Sequence, residues 1–379
     1  MDFNFTQEQQ QFADALQRWI AKDYHFEQRN KIVHSPAGVS DAAWATLAEL
    51  GMTALPVPEE QGGFNGSAVD MLVVMQEIGR GLLVEPYLAT VIGVEFLKRG
   101  GSHPALLEQV AGGELKLASA LGERQARHEL FDITTTAQAN ADGFVLNGVK
   151  TVVLHGAQAG YLIVSARTSG GQRDLDGISL FVVPRDSAGL TVKDYRTLDC
   201  LRAADISFAN VQVPASALLG SVGAGWDMLD AVTDYGTALL CCEAVGAMEA
   251  INAATLEYVK TRQQFGAPIG KFQALQHRMA DMFMQLEQAR SMAMLAAVKV
   301  ASSDVAERRR TVSAAKARVG QALKFVGQQA VQLHGGMGVT NEMPAAHYFK
   351  RLSMIELTLG DTDHHLARFI AQPGFQSVD

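Results

Sequence analysis

Asp361, Asp363, His364 and His365 fall within five positions of the stretch TLGDTDHHLARF, residues 358–369. Carboxylates beside imidazoles are the groups of a metal centre or of an acid/base pair. On a helix, positions i and i+4 share a face, which pairs Asp361 with His365 and turns Asp363 and His364 elsewhere. The run therefore makes a poor metal cage, and no residue is assigned to a metal. A polar helix end that continues as HLARF is the plainer alternative. Asp361 keeps a second possibility, as a general base, if its carboxylate reaches the proton to be moved.

The rest of the chain sets what could position such groups. At 379 residues it is long enough for two or three domains and a large core, and 48% apolar with 19% charged residues is ordinary for a globular enzyme. A net charge of −8 argues against nucleic acid as a partner. Cys200, Cys241 and Cys242 give neither a disulfide framework nor zinc-type spacing, which suits a reducing cytoplasm. MDFNFTQEQQ lacks the pattern of a signal or transit peptide, and no apolar run approaches the roughly 18 residues of a membrane span.

Residues 1–116 are predicted as a helical domain. Thr6 with Gln9 makes a capping box, and Phe12, Leu16, Trp19 and Ile20 then recur on one helical face. A helix from DAAWATLAEL stops at Gly51, and AVDMLVVMQEIGRGLL is another. Residues 117–222 change to short β-type runs, with Asp142-Gly143 and Asn147-Gly148 as hairpin turns of type I′. From Trp226 the pattern is helical again, so residues 223–379 are predicted as a four-helix bundle. The architecture is α+β and multidomain: helical, antiparallel β, helical. Within the bundle, MADMFMQLEQARSMAM is expected in the core, ERRR at 307–310 at a solvated helix start, and Glu243 in a buried structural pair.

Two motifs narrow this further: KTRQQFGAPIGKFQALQHRMADM, 260–282, and QLHGGMGVTNEMPAAHYFKR, 332–351. With ELGMTALPVPEEQGGFNG near the N-terminus they resemble the acyl-CoA dehydrogenase family along essentially the whole chain. Within it, the wording looks most like the small subunits of pimeloyl-CoA dehydrogenases. The resemblance implies FAD as cofactor, an acyl-CoA substrate and electron-transfer flavoprotein as acceptor. It implies that Arg262 meets the FAD pyrophosphate, for which a guanidinium fork is suited. Gln264, Phe265, Phe272, Gln332, Leu333, Gly335, Gly336 and Thr362 are the other implied cofactor contacts, the glycine pair by admitting backbone N–H groups. In the family the groups around Arg262 and Gly335-Gly336 reach into a neighbouring subunit's flavin site.

Groups the family supplies within one subunit are largely replaced. Where it has TEPGAGSD, this chain has GERQARHE, 122–129, keeping only Glu123. Where it has tryptophan and threonine in a K-x-W-I-T-N strand, KTVVLH puts Val152 and Leu154. Asp234 remains on the helix opening the last domain, but Thr237 stands where an arginine is expected. The catalytic glutamate position falls on Leu359 or Gly360, with Asp361 the nearest carboxylate. The pattern implies the small subunit of a hetero-oligomer of α2β2 type, completing the FAD site of a homologous large subunit. A self-sufficient homotetramer using Asp361, a base-free lyase, and a non-catalytic acyl-CoA- or partner-binding scaffold are the alternatives.

Overall fold

The structure is a computed structural model and describes residues 5–373. The described elements are, in chain order, α1 (Gln7–Asp23), α2 (Phe26–Val33), α3 (Asp41–Glu49), α4 (Ala68–Gly81), α5 (Tyr87–Gly100) and α6 (Pro104–Ala111). Strands follow: β1 (Leu117–Ala120), β2 (Thr136–Asn140), β3 (Gly143–Leu154), β4 (Tyr161–Arg167), β5 (Ile178–Pro184), β6 (Leu190–Arg196), β7 (Arg202–Pro214) and β8 (Leu218–Leu219). Then come α7 (Trp226–Thr261), a small hairpin of β9 (Gln263–Gln264) and β10 (Ala267–Pro268), α8 (Gln273–Lys299), α9 (Val305–His334), α10 (Pro344–Leu357) and α11 (Thr362–Ile370). This is the helical, β, helical order expected. The chain forms two compact units, one gathering the segments up to Asn30, Ala68–Leu83 and from Thr237 onward, the other Lys31–Ser67 and Val84–Gly236.

In the first unit, α1 begins with the capping box: the Gln9 amide donates to Thr6 Oγ1 and the Thr6 amide to Gln9 Oε1. Glycines let α4 and α7 touch backbone to backbone. A Cβ on Gly79 would sit 2.0 Å from the Glu243 carbonyl oxygen, and one on Gly246 only 1.8 Å from that of Gln76. Glu243 lies buried and accepts from Arg351 Nε at 2.6 Å, so α7 and α10 are joined by an ion pair. α8, α10 and α11 pack around α9.

Three expectations change here. Among the methionines of MADMFMQLEQARSMAM only Met282 is fully buried, while Phe283 and Met284 are 60% and 52% exposed, so α8 turns an apolar face outward. Arg308 of ERRR is buried, because the helix start caps on Asp304 and tucks that arginine inward. One helix, Trp226–Thr261, is after all long and apolar enough to cross a membrane by length and composition, with 67% of that window buried inside the molecule. Core packing accounts for that apolarity.

In the second unit the sheet runs β6-β7-β3-β2-β4-β5-β8, with β1 parallel to β4 and a single parallel bridge from β2 to β4, the other pairings being antiparallel. Strand alternation splits its side chains between two cores. Ile163, Ile178, Leu180 and Val182 join Val94, Phe96 and Leu107 of α5 and α6, while Leu162, Val164, Phe181 and Val183 join Phe144, Leu146 and Ile206. The hairpin signals were misplaced. Asn140 pairs with Gly143, so the β2–β3 turn is Ala141-Asp142, and neither has the positive φ of type I′. The Asp142 amide is instead held by the Asn140 side chain. Asn147-Gly148 makes no turn: it lies inside β3, where a register shift against β7 marks a bulge and Gly148 takes φ 148°.

Candidate active site

The polar run that opened the sequence forms the turn between α10 and α11. Asp361 is the N-cap of α11: it is 8% exposed and accepts from the His364 amide at 2.8 Å. His365 is buried and donates from Nε2 to the Leu359 carbonyl at 2.9 Å. Burial, with the Lys316 ammonium nearby, pushes its pKa down to about 2, so the ring is neutral. Asp363 is exposed and His364 half-buried. At the expected glutamate place, Leu359 carries φ 57° and Gly360 φ 106°. A Cβ on Gly360 would meet His364 Cδ2 at 2.6 Å and His365 Nε2 at 2.7 Å, so in this conformation only glycine fits there. Thr362 donates from N and Oγ1 to Glu356 Oε1, at 3.0 and 2.9 Å, and Lys324 donates to the same oxygen at 2.8 Å. Glu356 is buried, and its pKa is lowered because Lys324 and Thr362 outweigh the upward push of desolvation.

A second cluster gathers where α7 and α9 end. Tyr258 stacks on His334, ring centroids 4.4 Å apart, and its hydroxyl donates to the His334 carbonyl at 3.3 Å. That contact brings the Arg262 loop and the Gly335-Gly336 turn to one end of the unit. Arg262 is exposed, and among the described residues its guanidinium has no protein partner. Phe265 stands at φ 55° and 92% exposed, edge-to-face with the 40%-exposed Phe272 at 6.1 Å. Gln264 is exposed in the β9–β10 hairpin, paired with Ala267. Gln332 is exposed, whereas the Leu333 side chain turns inward and is buried. Gly335 has φ 58°, and a Cβ added to it or to Gly336 meets nothing within 4 Å.

The third cluster belongs to the sheet unit. The Thr151 amide donates to the Gly122 carbonyl at 2.9 Å, so the two replaced family stretches lie side by side. Beneath them Lys150 is fully buried, and all three ammonium protons are used: Glu123 Oε1 at 2.8 Å, Ser165 Oγ at 3.0 Å and the Leu121 carbonyl at 3.1 Å. Glu123 also accepts from the Thr134 and Thr135 amides and the Thr134 hydroxyl. Desolvation would raise its pKa, but the Lys150 ammonium and these donors outweigh it and hold the carboxyl at about 2. Val152 sits at φ 54° and 55% exposed, a conformation that costs a β-branched residue on the order of 1–3 kcal/mol. Leu154 is half-buried. Asp234 and Thr237 are both buried in α7.

The second cluster fits the adenosine-diphosphate end of FAD: an unpartnered guanidinium, exposed aromatic faces and a glycine turn open to an approaching phosphate. When bound, FAD supplies hydride-accepting chemistry. Sequence reasoning missed Tyr258, His334 and Lys316. Lys316 was detectable, because it occupies one position of the stripe Val312, Lys316, Val319 and Leu323, whose other members are apolar and buried.

Sequence models of the acyl-CoA dehydrogenase N-terminal, middle and C-terminal domains match residues 6–105, 118–211 and 223–372. The probable acyl-CoA dehydrogenase YngJ of Bacillus subtilis is 30% identical, over 96% of this chain and 97% of its own length. An FAD complex of PigA superposes over 100% of both chains with a TM-score of 0.89 at 25% identity. The ChsE4–ChsE5 complex from Mycobacterium tuberculosis does so over 97% of each chain, with a TM-score of 0.87 at 25% identity. The chain belongs to the acyl-CoA dehydrogenase family of FAD-dependent oxidoreductases.

Proposed function

We propose that this chain is the small subunit of a hetero-oligomeric acyl-CoA dehydrogenase, lending FAD contacts to a homologous subunit that carries the glutamate. The observation that carries this is the contrast in polar partners. Among the described residues the Arg262 guanidinium has no protein partner and the side-chain faces of Gly335 and Gly336 are open, while the positions of the usual base hold Leu359 and a glycine that cannot gain a side chain. In this reading Arg262, Gln264, Phe265, Phe272, Gln332, the Leu333 backbone, Gly335 and Gly336 hold the adenylate and pyrophosphate of a flavin whose ring lies in the partner. Thr362 stands in the chain's own flavin-side turn. The outward face of α8 supports a subunit interface, and a two-component complex among the structural neighbours supports an assembly of unlike chains.

The reaction proposed for the assembly is α,β-desaturation of an acyl-CoA, with a medium dicarboxyl-CoA as substrate and electron-transfer flavoprotein as acceptor. An α2β2 tetramer in the cytoplasm then carries half as many flavins as chains. The three sequence segments 1–116, 117–222 and 223–379 serve as its N-terminal, middle and C-terminal domains. Asp361 as a self-sufficient base is the weaker reading, because its carboxylate already caps α11. The test is to purify the chain alone and together with a glutamate-bearing homologue, and to record flavin absorbance and turnover. Flavin at about half occupancy per chain, with activity only in the mixed assembly, is expected. A yellow, active homo-oligomer of this chain alone would sink the idea.

A further inference from the structure

The open face at the ends of α7 and α9 comes from two helices, and one side chain joins its halves. The Tyr258 carbonyl accepts from the Arg262 amide at 2.8 Å, and the Arg262 carbonyl accepts from the Ile269 amide, also at 2.8 Å. The backbone of Arg262 is thus held from two sides, while among the described residues its guanidinium stays open. On the other half, the Tyr258 ring stacks on His334 with 27° between their planes, and its hydroxyl donates to the His334 carbonyl at 3.3 Å. His334 is buried, and its Nδ1 donates to the Ala330 carbonyl at 2.8 Å, one turn back on α9. Burial pushes the imidazole pKa below its ordinary value, so the ring is neutral at neutral pH. The His334 carbonyl is the last before Gly335, where the chain leaves α9 at φ 58°. It is one of the four that a helix end leaves without an amide partner, and an open carbonyl there would turn negative charge toward a phosphate.

We propose that Tyr258 is a positioning residue for the cofactor: by stacking on His334 and holding its carbonyl, it sets the Gly335-Gly336 turn at the distance from Arg262 that a pyrophosphate spans. This rests on the proposed reading in which Arg262 and the glycine turn hold the pyrophosphate of a flavin whose ring lies in the partner. A guanidinium fork and backbone amides bind phosphate oxygens only at about 2.7–3.2 Å, so a turn that slides along α7 loses one set of bonds or the other. The β9–β10 hairpin follows directly on Arg262, so Tyr258 also registers Phe265 against the end of α9. The ring spends its stacked face and its hydroxyl on His334, and it therefore acts through the turn, without touching the cofactor.

The experiment uses the mixed assembly with Tyr258→Phe, which keeps the stack and loses the hydroxyl, and with Tyr258→Leu, which loses both. FAD affinity and the phosphorus NMR resonances of the bound pyrophosphate are measured for each, alone and with Arg262→Ala in the same chain. Expected is FAD weakened about threefold by Tyr258→Phe and about tenfold by Tyr258→Leu. The phosphorus resonances should move in both, while the flavin absorption spectrum, a property of the ring in the partner, stays as it was. With Arg262→Ala already present, the same substitutions should weaken FAD by less than about twofold, because groups that act on one phosphate pair are coupled. If Tyr258→Leu does not fold, Tyr258→Phe carries the same comparison. Unchanged affinity and resonances in the folded variants overturn the proposal. So does a loss that is equally large with Arg262→Ala and leaves the resonances unmoved, which would make Tyr258 a purely structural residue. A wild-type assembly that binds no flavin would instead refute the hetero-oligomer reading, and this role with it.

Discussion

Two polar regions of the bundle unit differ in one respect. In the α10–α11 turn, Asp361, Glu356, Thr362, His365 and Lys316 all bond to other parts of the protein. At the ends of α7 and α9, among the described residues, the Arg262 guanidinium bonds to no other group, a Cβ on either glycine of the turn would meet nothing within 4 Å, and Phe265 stands almost fully in solvent. A side chain whose hydrogen-bonding capacity is met inside the fold has little left for a ligand, whereas an unmet one is available. The turn holds the letters of catalysis and spends them on structure. The outer face holds fewer charged groups and keeps them open. Glu123 and Lys150 in the sheet unit are of the spent kind.

Removing a spent group should therefore cost stability, and removing an open one only ligand. The largest effect is expected from Glu123→Gln, which leaves the Lys150 ammonium buried without its counter-ion. Urea unfolding should lose about 3–5 kcal/mol; a loss below about 1 kcal/mol would place Glu123 with the open groups. The same carboxylate gives a pH signature. Its folded pKa, about 2, lies below the ordinary 4.5, so its contribution is complete above pH 4.5 and lost as pH falls from 4.5 toward 2. Across that window the stability of the wild type should drop more steeply than that of Glu123→Gln, and parallel curves would contradict the assignment.

In the turn, Gly360→Glu forces a side chain into φ 106° and against two imidazoles, and should cost about 2–4 kcal/mol. Leu359→Glu already has the backbone it needs at a half-buried position and should stay within about 1 kcal/mol of wild type. Thermal melts of the two variants decide which position could ever regain a base, and equal tolerance would mean the turn is not fixed. Smallest is Phe265→Ala, expected within about 0.5 kcal/mol, because a 92%-exposed ring has little burial to lose. A larger drop would show that the open face is packed after all.

Much of this was legible beforehand. Helical periodicity and the capping box place α1, and the change of texture near residue 117 marks the start of the sheet. The outward set from Arg262 to Gly336 was found by motif, and each of these side chains except Leu333 is exposed. Local reading failed where tertiary partners decide. Asn147-Gly148 carries a turn signal, yet pairing with β7 absorbs it as a bulge. The methionines of α8 have helical spacing, but spacing cannot tell a core face from one turned outward. Asp361 reads as a base or a ligand by type, and only the fold reveals that it caps a helix. Lys316 and Lys150 are charged residues within otherwise apolar patterns, and their roles depend on carbonyls and a carboxylate distant in sequence.

In the proposed assembly this chain's open groups hold a flavin that belongs to another subunit. This is tested most directly by combining the Arg262→Ala chain with its unaltered glutamate-bearing partner and measuring FAD affinity, with assembly and melting temperature as controls. FAD weakened by about tenfold or more is expected, although the partner is intact and both assembly and melting are unchanged. Full flavin retention in that assembly would contradict it.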